Sequence, residues 1–556
     1  MFVFDVQDWD RSTGLSVPGN SAQPLSPHYK DLVPYWGEGR HFPLAFSRKK
    51  VEEHTRSRLV LQPLRETIDT AGGQEPRFEP VQPELFSAPG GQATAWADFD
   101  NDGDLDLFVG FRGGTNRLYR NDGGTFVDVA PQVGLADTDE TRAVAWGDYD
   151  ADGNLDIYVG FARGSGRRNK LYRNEGNGTH FTDVAARLGL DLVGTTRQVS
   201  WIDYDNDGDV DLFMAFRDRP NMLFRNDGGR FADVSKEVGI DDPRKTVGVV
   251  WFDMDQDGDL DLFVANQDGD LNGFFRNDGG RFVDVARELE MDAAGRPLVY
   301  GGVGPSVADF DGDGDLDLFV ANYGPNALYR NDGGGRFTNV AAELGVAGDY
   351  HAVASNWGDY DNDGRPDLYV GAYLANILNY RDYLYHNDGS GFSDATPAVI
   401  LKHDASHGVQ WADFDGDGDL DLALADNNPT GSHYLFRNLL PADRARRSLQ
   451  VMVLDERGRY SRAGTEVRVY AAGTRTLLGT RLLDTGSGYC SQNVMPVHFG
   501  LQGDGLVDVE VTALTRAGRQ VTRVPTVDPR SLVGRFLTVK VSAKGVRTAY
   551  GSSVRQ

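Results

Sequence analysis

Along most of this chain, apolar positions come in short clusters separated by polar turns, and the clusters recur at a nearly fixed interval. Runs such as Leu107-Phe108-Val109 and Ile157-Tyr158-Val159 are too short, and too rich in β-branched and aromatic residues, to make helices. They predict buried strands. After each run comes a segment of the form N-x-L-Y-R-N-D-G-G-x-F-x-D-V, as in Asn116 to Val129 and, with Phe224 in place of the Tyr, Asn221 to Val234. Two apolar stretches around an Asp-Gly or Gly-Gly pair predict a β-hairpin. Ahead of the run stands Trp96, Trp146, Trp201, Trp251, Trp357 or Trp411, with Val307 in the fifth unit. Each unit thus predicts four strands, and units spaced 50 to 56 residues apart predict an all-β fold, a seven-bladed β-propeller.

Between the Trp and the apolar run lies the phrase D-x-D-x-D-G-x-x-D, seven times over. Taking positions one, three, five, seven and nine, the first copy is Asp98, Asp100, Asp102, Asp104 and Asp106, and the second is Asp148, Asp150, Asp152, Asn154 and Asp156. The third is Asp203, Asp205, Asp207, Asp209 and Asp211; the fourth is Asp253, Asp255, Asp257, Asp259 and Asp261. Then follow Asp309, Asp311, Asp313, Asp315 and Asp317; Asp359, Asp361, Asp363, Arg365 and Asp367; and Asp413, Asp415, Asp417, Asp419 and Asp421. Alternate carboxylates aimed at one centre, with Gly at position six to turn the chain, make a cage for a hard cation. Calcium takes six to eight oxygens in a forgiving geometry and suits such a cage better than magnesium does. Without a cation, four carboxylates about 4 Å apart repel by about 4 kcal/mol per pair at an effective dielectric of 20. Position seven varies, which predicts that it offers its backbone carbonyl and that its side chain is nearly free to change. An EF-hand is excluded, because position twelve is Val109, Val159, Met214, Val264, Val320, Val370 or Leu424 where that loop needs Glu. The expected cofactor is about seven structural calcium ions.

These loops resemble the FG-GAP, or VCBS-type, repeats known from integrin α-subunit propellers and many secreted bacterial proteins. The resemblance covers residues 77–440 and implies that the matching aspartates are calcium ligands stiffening one face of the propeller. From Ser448 the acidic loops stop and alternating strands such as Leu449 to Val453 and Glu466 to Tyr470 predict a small C-terminal β-domain over residues 446–525. Its segments Gly486 to Gln492 and Pro496 to Leu501 resemble the ASPIC and UnbV domain, which follows such propellers in cartilage acidic protein. Leu514 to Gly518 departs from that family's Trp-Pro-Ser-Gly-like turn. The basic tail, residues 526–556, reads as a solvated strand and a loose end, and His498 as a packed core residue.

Residues 1–64 contain no acidic loop and predict an irregular N-terminal segment, joined by a linker over 65–76. Val17 to Asp31, with Trp36, Gly39 and Phe46-Ser47, is similar to the carboxyl-terminal end of penicillin acylase family enzymes. That family's amino-terminal nucleophile is absent from this segment, and Ser26 with His28 lacks an orienting acid and oxyanion donors. No catalytic residue is therefore assigned.

The formal net charge is −27, and the seven loops hold 33 of the 83 acidic residues. Such a surface argues against nucleic acid as a partner, since phosphate binding needs the opposite sign. No apolar stretch reaches the length of a transmembrane helix. Calcium loops of extracellular modules bind at roughly 10⁻⁴–10⁻³ M, so the expected location is extracellular or periplasmic, although Met1 to Asp5 is no signal peptide and the amino terminus then reads as truncated. The lone Cys490 excludes an internal disulfide. The leading functional expectation is a binding or adhesion module for a protein or glycan, with Phe111, Arg112, Phe161, Arg163, Phe216, Arg217, Asn266, Tyr323, Tyr373, Asn427 and Asn428 on candidate contact loops. The alternative is the carboxyl-terminal portion of a penicillin acylase family amidohydrolase.

Overall fold

The computed structural model describes residues 76–162, 167–373, 381–402, 406–427, 431–542 and 550–552. The 1–64 segment with Ser26 and His28, nearly all of the 65–76 linker, Arg163 and Asn428 lie outside the described residues. Seven antiparallel blades follow one another, the first six each built from four successive strands of the repeat and the seventh from three. Blade 1 is Gly91–Ala97, Asp106–Phe111, Arg117–Asn121 and Phe126–Asp128, and blades 2 to 6 repeat it. The innermost strands of consecutive blades lie side by side, and that of blade 7, Gly408–Ala412, lies beside Gly91–Ala97 of blade 1. The ring is closed.

Closure uses a borrowed strand. Blade 7 contributes only three strands in sequence, the last being His433–Asn438, and its outermost strand is Phe78–Pro80 from ahead of blade 1. Phe78 pairs with Asn438, Glu79 with Arg437 and Pro80 with Phe436, and the Val81 amide donates to the Leu435 carbonyl at 2.8 Å. This covers an edge that would otherwise be open, and Pro80, which has no amide hydrogen, sits where an outermost strand tolerates it.

The repeated tryptophans pack between blades. Trp96, Trp146, Trp201 and Trp357 stack on Phe414, Phe99, Tyr149 and Phe310, the position-two aromatic of the preceding blade's loop. A second inter-blade device recurs in all seven repeats. The Asn that ends each blade's third strand, for example Asn226, donates its side-chain amide to a carbonyl of its own loop (Val210, 2.9 Å) and to the position-two carbonyl of another blade's loop (Tyr149, 2.9 Å). Asn121, Asn174, Asn277, Asn331, Asn387 and Asn438 do the same. All seven are buried, so each bond is made in a low dielectric, where losing one partner leaves a desolvated carbonyl and costs about 1–3 kcal/mol.

The C-terminal region is a sandwich of two four-stranded sheets with a core that includes Leu449, Val451, Val467, Val509 and Val511. The basic tail is part of it, contrary to the expectation from sequence. Leu537–Val541 pairs in parallel with Ser448–Asp455, and Leu537, Val539 and Val541 are buried. Their alternation with Thr538 and Lys540 is a half-buried strand pattern that the surrounding basic residues masked. His498 is buried, with Nε2 at 3.2 Å from the Gly418 carbonyl, and burial lowers its pKa to about 4.

One stretch of the sandwich enters the propeller. Residues 484–494 run into the central channel, where Ser491–Gln492 adds as a fifth, parallel strand beside the innermost strand of blade 2. Amides on the inner edges of other blades are satisfied by its side chains: Trp96 N–H donates to Asn493 Oδ1 at 2.8 Å, Trp201 N–H to Gln492 Oε1 at 2.7 Å and Trp251 N–H to Thr485 Oγ1 at 3.1 Å. The inner edges of a propeller face a channel too narrow for another full sheet. A polar, turn-rich segment can supply single donors and acceptors to several blades at once. The motif Gly486 to Gln492, noted in the sequence without a structural role, is this plug.

Candidate metal centres

Each acidic loop begins where an innermost strand ends and finishes where the second strand begins, so all seven cluster on one face of the ring. Gly at position six has φ between 92° and 106° in every copy, the left-handed region where Gly alone is unstrained. Position four is left-handed too, at Asn101, Ala151, Asn206, Gln256, Gly312, Asn362 and Gly416, with φ from 53° to 77°. The excess of Asn and Gly there was visible in the sequence and signals the second turn.

The carboxylates divide into two jobs. Position nine is a clasp: Asp106 Oδ2 accepts from Phe99 N–H at 3.1 Å and Oδ1 from Asn121 N–H at 2.8 Å. All seven position-nine aspartates make the corresponding pair of bonds. Position one accepts the position-six amide through Oδ2 in six copies, at 2.9–3.1 Å. Position three differs. Asp100, Asp150, Asp205, Asp361 and Asp415 each keep a buried Oδ1 with no hydrogen-bond partner among the described residues. Ligand oxygens of positions one, three and nine lie within 4.8 Å of one another in the first four loops, and Asp361, Asp367 and His386 do so in the sixth. These clusters could hold a metal ion.

Position seven corrects the sequence reading that its side chain is free to vary. Asp104, Asp209 and Asp259 each accept the amide of a hairpin-turn glycine, Gly123, Gly228 and Gly279, at 2.9–3.1 Å, and Asp419 accepts Leu440 N–H. The side chain ties the loop to the turn of its own blade. Arg365 reaches the same neighbourhood by donating Nε–H to the Asn387 carbonyl at 2.7 Å. Position five contributes an acceptor to the position-seven amide, as Asp102 does to Asp104 at 2.9 Å.

Burial, with neighbouring aspartates adding to it, raises Asp98, Asp148, Asp203, Asp253 and Asp359 to a pKa of about 7 and Asp309 to about 6. Carboxylates held this reluctantly in the ionised form are what a divalent cation stabilises, since its charge inverts the local pKa logic.

The sandwich docks on this same face. Arg519 pairs with Asp253 and with Glu466, Arg516 lies 3.7 and 3.6 Å from Asp205 and Asp207, and Gln450 Nε2–H donates to Asp413 Oδ2 at 2.5 Å. Arg516 stands in the Leu514 to Gly518 turn that departs from the ASPIC and UnbV pattern, with Arg519 just after it. The sixth loop is surrounded by cations: Arg365 pairs with Asp363, Arg444 Nη2 lies 3.2 Å from Asp361, and His386 Nδ1 lies 3.1 Å from Asp367, whose hydrogen bond raises the imidazole to about 8.

A model of the FG-GAP-like repeat matches residues 98–159, 161–214, 203–264, 253–320, 309–370 and 373–424, more than half of the chain. The chain belongs to the FG-GAP-like repeat family. Two further models match shorter stretches, ASPIC and UnbV over residues 457–526 and penicillin amidase over residues 1–53, at the amino-terminal end. Among curated relatives, cartilage acidic protein 1 of Xenopus tropicalis is 26% identical over 264 residues, 43% of this chain and 37% of its own length. The Homo sapiens protein of that name is 28% identical over 251 residues, with the same two coverages. The FG-GAP chain thus spans little more than a third of these relatives. A structure of an Agrocybe aegerita lectin recognising non-reducing terminal N-acetylglucosamine aligns over 64% of this chain and 90% of its own, at 18% identity and a TM-score of 0.36. One of BBS1N in complex with ARL6DN aligns over 66% and 97%, at 11% identity and a TM-score of 0.41. Among the described residues, no helix is long and apolar enough to cross a membrane.

Proposed function

We propose that the chain is a calcium-stabilised, extracellular β-propeller that serves as a binding or adhesion module, with about seven structural calcium ions and a protein or glycan ligand. The observation that carries this reading is the buried position-three Oδ1 with no hydrogen-bond partner among the described residues in the first, second, sixth and seventh loops, and in the third, where Arg516 approaches it at 3.7 Å, beside carboxylates that burial pushes far above their ordinary range. An unpaired carboxylate oxygen in a protein interior is costly, and a cation with six to eight oxygen ligands removes that cost. Positions one, three and five supply carboxylate oxygens and position seven a carbonyl, while position nine joins them as it clasps the hairpin. Calcium at millimolar concentration fills loops of extracellular affinity, which supports an extracellular or periplasmic location. In this role the ions hold the acidic face rigid beneath the sandwich, and the loops of the opposite face are left to meet a ligand. The experiment is glycan-array and protein-array binding with calcium and with chelator: calcium-dependent capture of a ligand class supports the reading, and equal signals in both conditions contradict it.

The penicillin amidase match over residues 1–53 favours a second reading, in which the chain is one portion of an amidohydrolase. An acylase domain encoded in frame upstream of the first codon would support it, and turnover of a phenylacetyl amide by this chain by itself is not expected, since no nucleophile is assigned in it.

A further inference from the structure

The channel has a second end, away from the acidic loops, and its lining is divided. Four residues before the repeated Trp position stand Gln92, Arg142, Arg197, Val247, Val303 and Val353 on six innermost strands and His407 just ahead of the seventh. Blades 7, 1, 2 and 3 therefore contribute a contiguous polar arc, and blades 4, 5 and 6 an apolar one. Tyr489 of the plug reaches this ring: Arg142 Nη1 and Arg197 Nη1 donate to its hydroxyl at 3.3 and 3.2 Å, and the His407 ring lies edge-on at 5.0 Å between centroids. Val247, Val303 and Val353 fall in one apolar cluster with Tyr489, against which Tyr323 and Tyr373 pack.

The polar arc holds more nitrogen than the protein satisfies. Gln92 Nε2, Arg142 Nε, Arg197 Nε and His407 Nδ1 are all buried and have no hydrogen-bond partner among the described residues, and of the acceptors beside them Gln92 Oε1 is left without one as well. Gln92 is 0% exposed, His407 3% and Arg197 7%. Glu140 pairs with Arg142 and lies 3.8 Å from Arg112, while the contact that Arg197 makes here is with the Tyr489 hydroxyl. Burial, together with Arg142, Arg197 and Arg112, drives His407 well below its ordinary pKa, which places the three guanidinium groups and the imidazole in one electrostatic neighbourhood. In a chain of net charge −27, this end of the channel gathers Arg142, Arg197 and the more exposed Arg112 around one acidic partner, Glu140. Buried donors without acceptors are costly, and a guanidinium matches a carboxylate in geometry as well as charge.

We propose that this end of the channel is an anion site for a carboxylate carried on a planar or aromatic body, held by Gln92, Arg142, Arg197 and His407 around Tyr489. The carboxylate takes the unpartnered nitrogens, and the body lies toward the valines and the rings of Tyr323 and Tyr373. The site gives the binding-module reading a ligand class and a face, and it rests on that reading for its biological use.

The test is calorimetric titration of the full chain with benzoate, with acetate and sulfate as comparators. Benzoate should bind at one site, more tightly than acetate or sulfate. Arg197→Gln should weaken it at least about tenfold, the loss of one charge-assisted contact. Gln92→Leu, which changes no charge, guards against misfolding of the arginine variant and should weaken binding about threefold. Absence of saturable benzoate binding, or affinity unchanged in both variants, overturns the proposal. Melting each protein with and without calcium separates the two readings. A melting temperature indifferent to calcium contradicts the calcium proposal and leaves the benzoate result to stand or fall by itself.

Discussion

The propeller and the C-terminal sandwich are held together by opposite means. In the propeller the same solutions are written over and over: Asp at position nine across the hairpin and Asn pinned to another blade in all seven repeats, and Trp stacked on a neighbouring aromatic in four. Each copy is modest, and the ring is stable because the copies are joined in a circle. The sandwich has its own apolar core, yet its attachment depends on contacts that occur once, the plug in the channel and a few arginines over the acidic loops. Repetition spreads a lesion thinly, whereas a unique contact concentrates it. Closure is the point where the propeller itself becomes singular, because the ring meets in the three-residue strand Phe78–Pro80.

Breaking that closure should therefore have the largest effect. Deleting residues 77–81 exposes one edge of blade 7 and removes Phe78, which is buried and packs beside Trp411 with ring centroids 6.3 Å apart. The expected outcome is a fall in melting temperature of more than about 10 °C by differential scanning calorimetry, even in calcium.

The plug is the next contact to break. Gln492→Ala combined with Asn493→Ala leaves the Trp96 and Trp201 amides buried without acceptors. At about 1–3 kcal/mol per desolvated group, the pair should lose about 2–6 kcal/mol in urea unfolding. If sandwich and propeller are coupled mainly through the plug, the single transition should split into two.

A repeated contact should cost less. Asn226→Ala removes one pin of seven and should destabilise by about 2 kcal/mol, with the transition still single.

The smallest effect distinguishes one copy from another. With Arg365, Arg444 and His386 around the sixth loop, Asp359→Ala should disturb lanthanide luminescence at low occupancy less than Asp98→Ala does, since the first loop fills earlier. Equal losses would mean that cations near the sixth loop do not weaken it.

The fold and the gathering of the acidic loops were legible where the chain repeats itself. The period, the four strands per unit and the Trp position predicted the blades, and an R-F-x-x-V fragment, Arg77 to Val81, that no local hairpin claims, together with the lack of F-x-D-V after the seventh Y-L-F-R-N, predicts the borrowed strand. The clustering of the acidic loops followed from the same period. What stayed hidden arises from pairing across long sequence separations. Gln492 meets Trp201 across 291 positions, and no local periodicity marks it. The Asn pin was written in every repeat, but its second acceptor belongs to a different blade. Position seven misled because Asp104 accepts from the hairpin turn, Asn154 Oδ1 accepts from Asn177 N–H there at 3.3 Å and Arg365 donates to it, so variation in type hid a shared role. The strand Leu537–Val541 was masked by the basic residues around it.

The central claim is that calcium holds the acidic face together, and counting bound ions while the protein melts tests it most directly. Inductively coupled plasma mass spectrometry on the dialysed chain, paired with calorimetry in calcium and in chelator, gives both quantities on one sample. The account predicts about seven calcium ions per chain and a melting temperature at least about 10 °C lower once they are removed, as expected when ligands that bind only the folded state are withdrawn. Fewer than about two ions per chain, or the same melting temperature in chelator as in calcium, would contradict it.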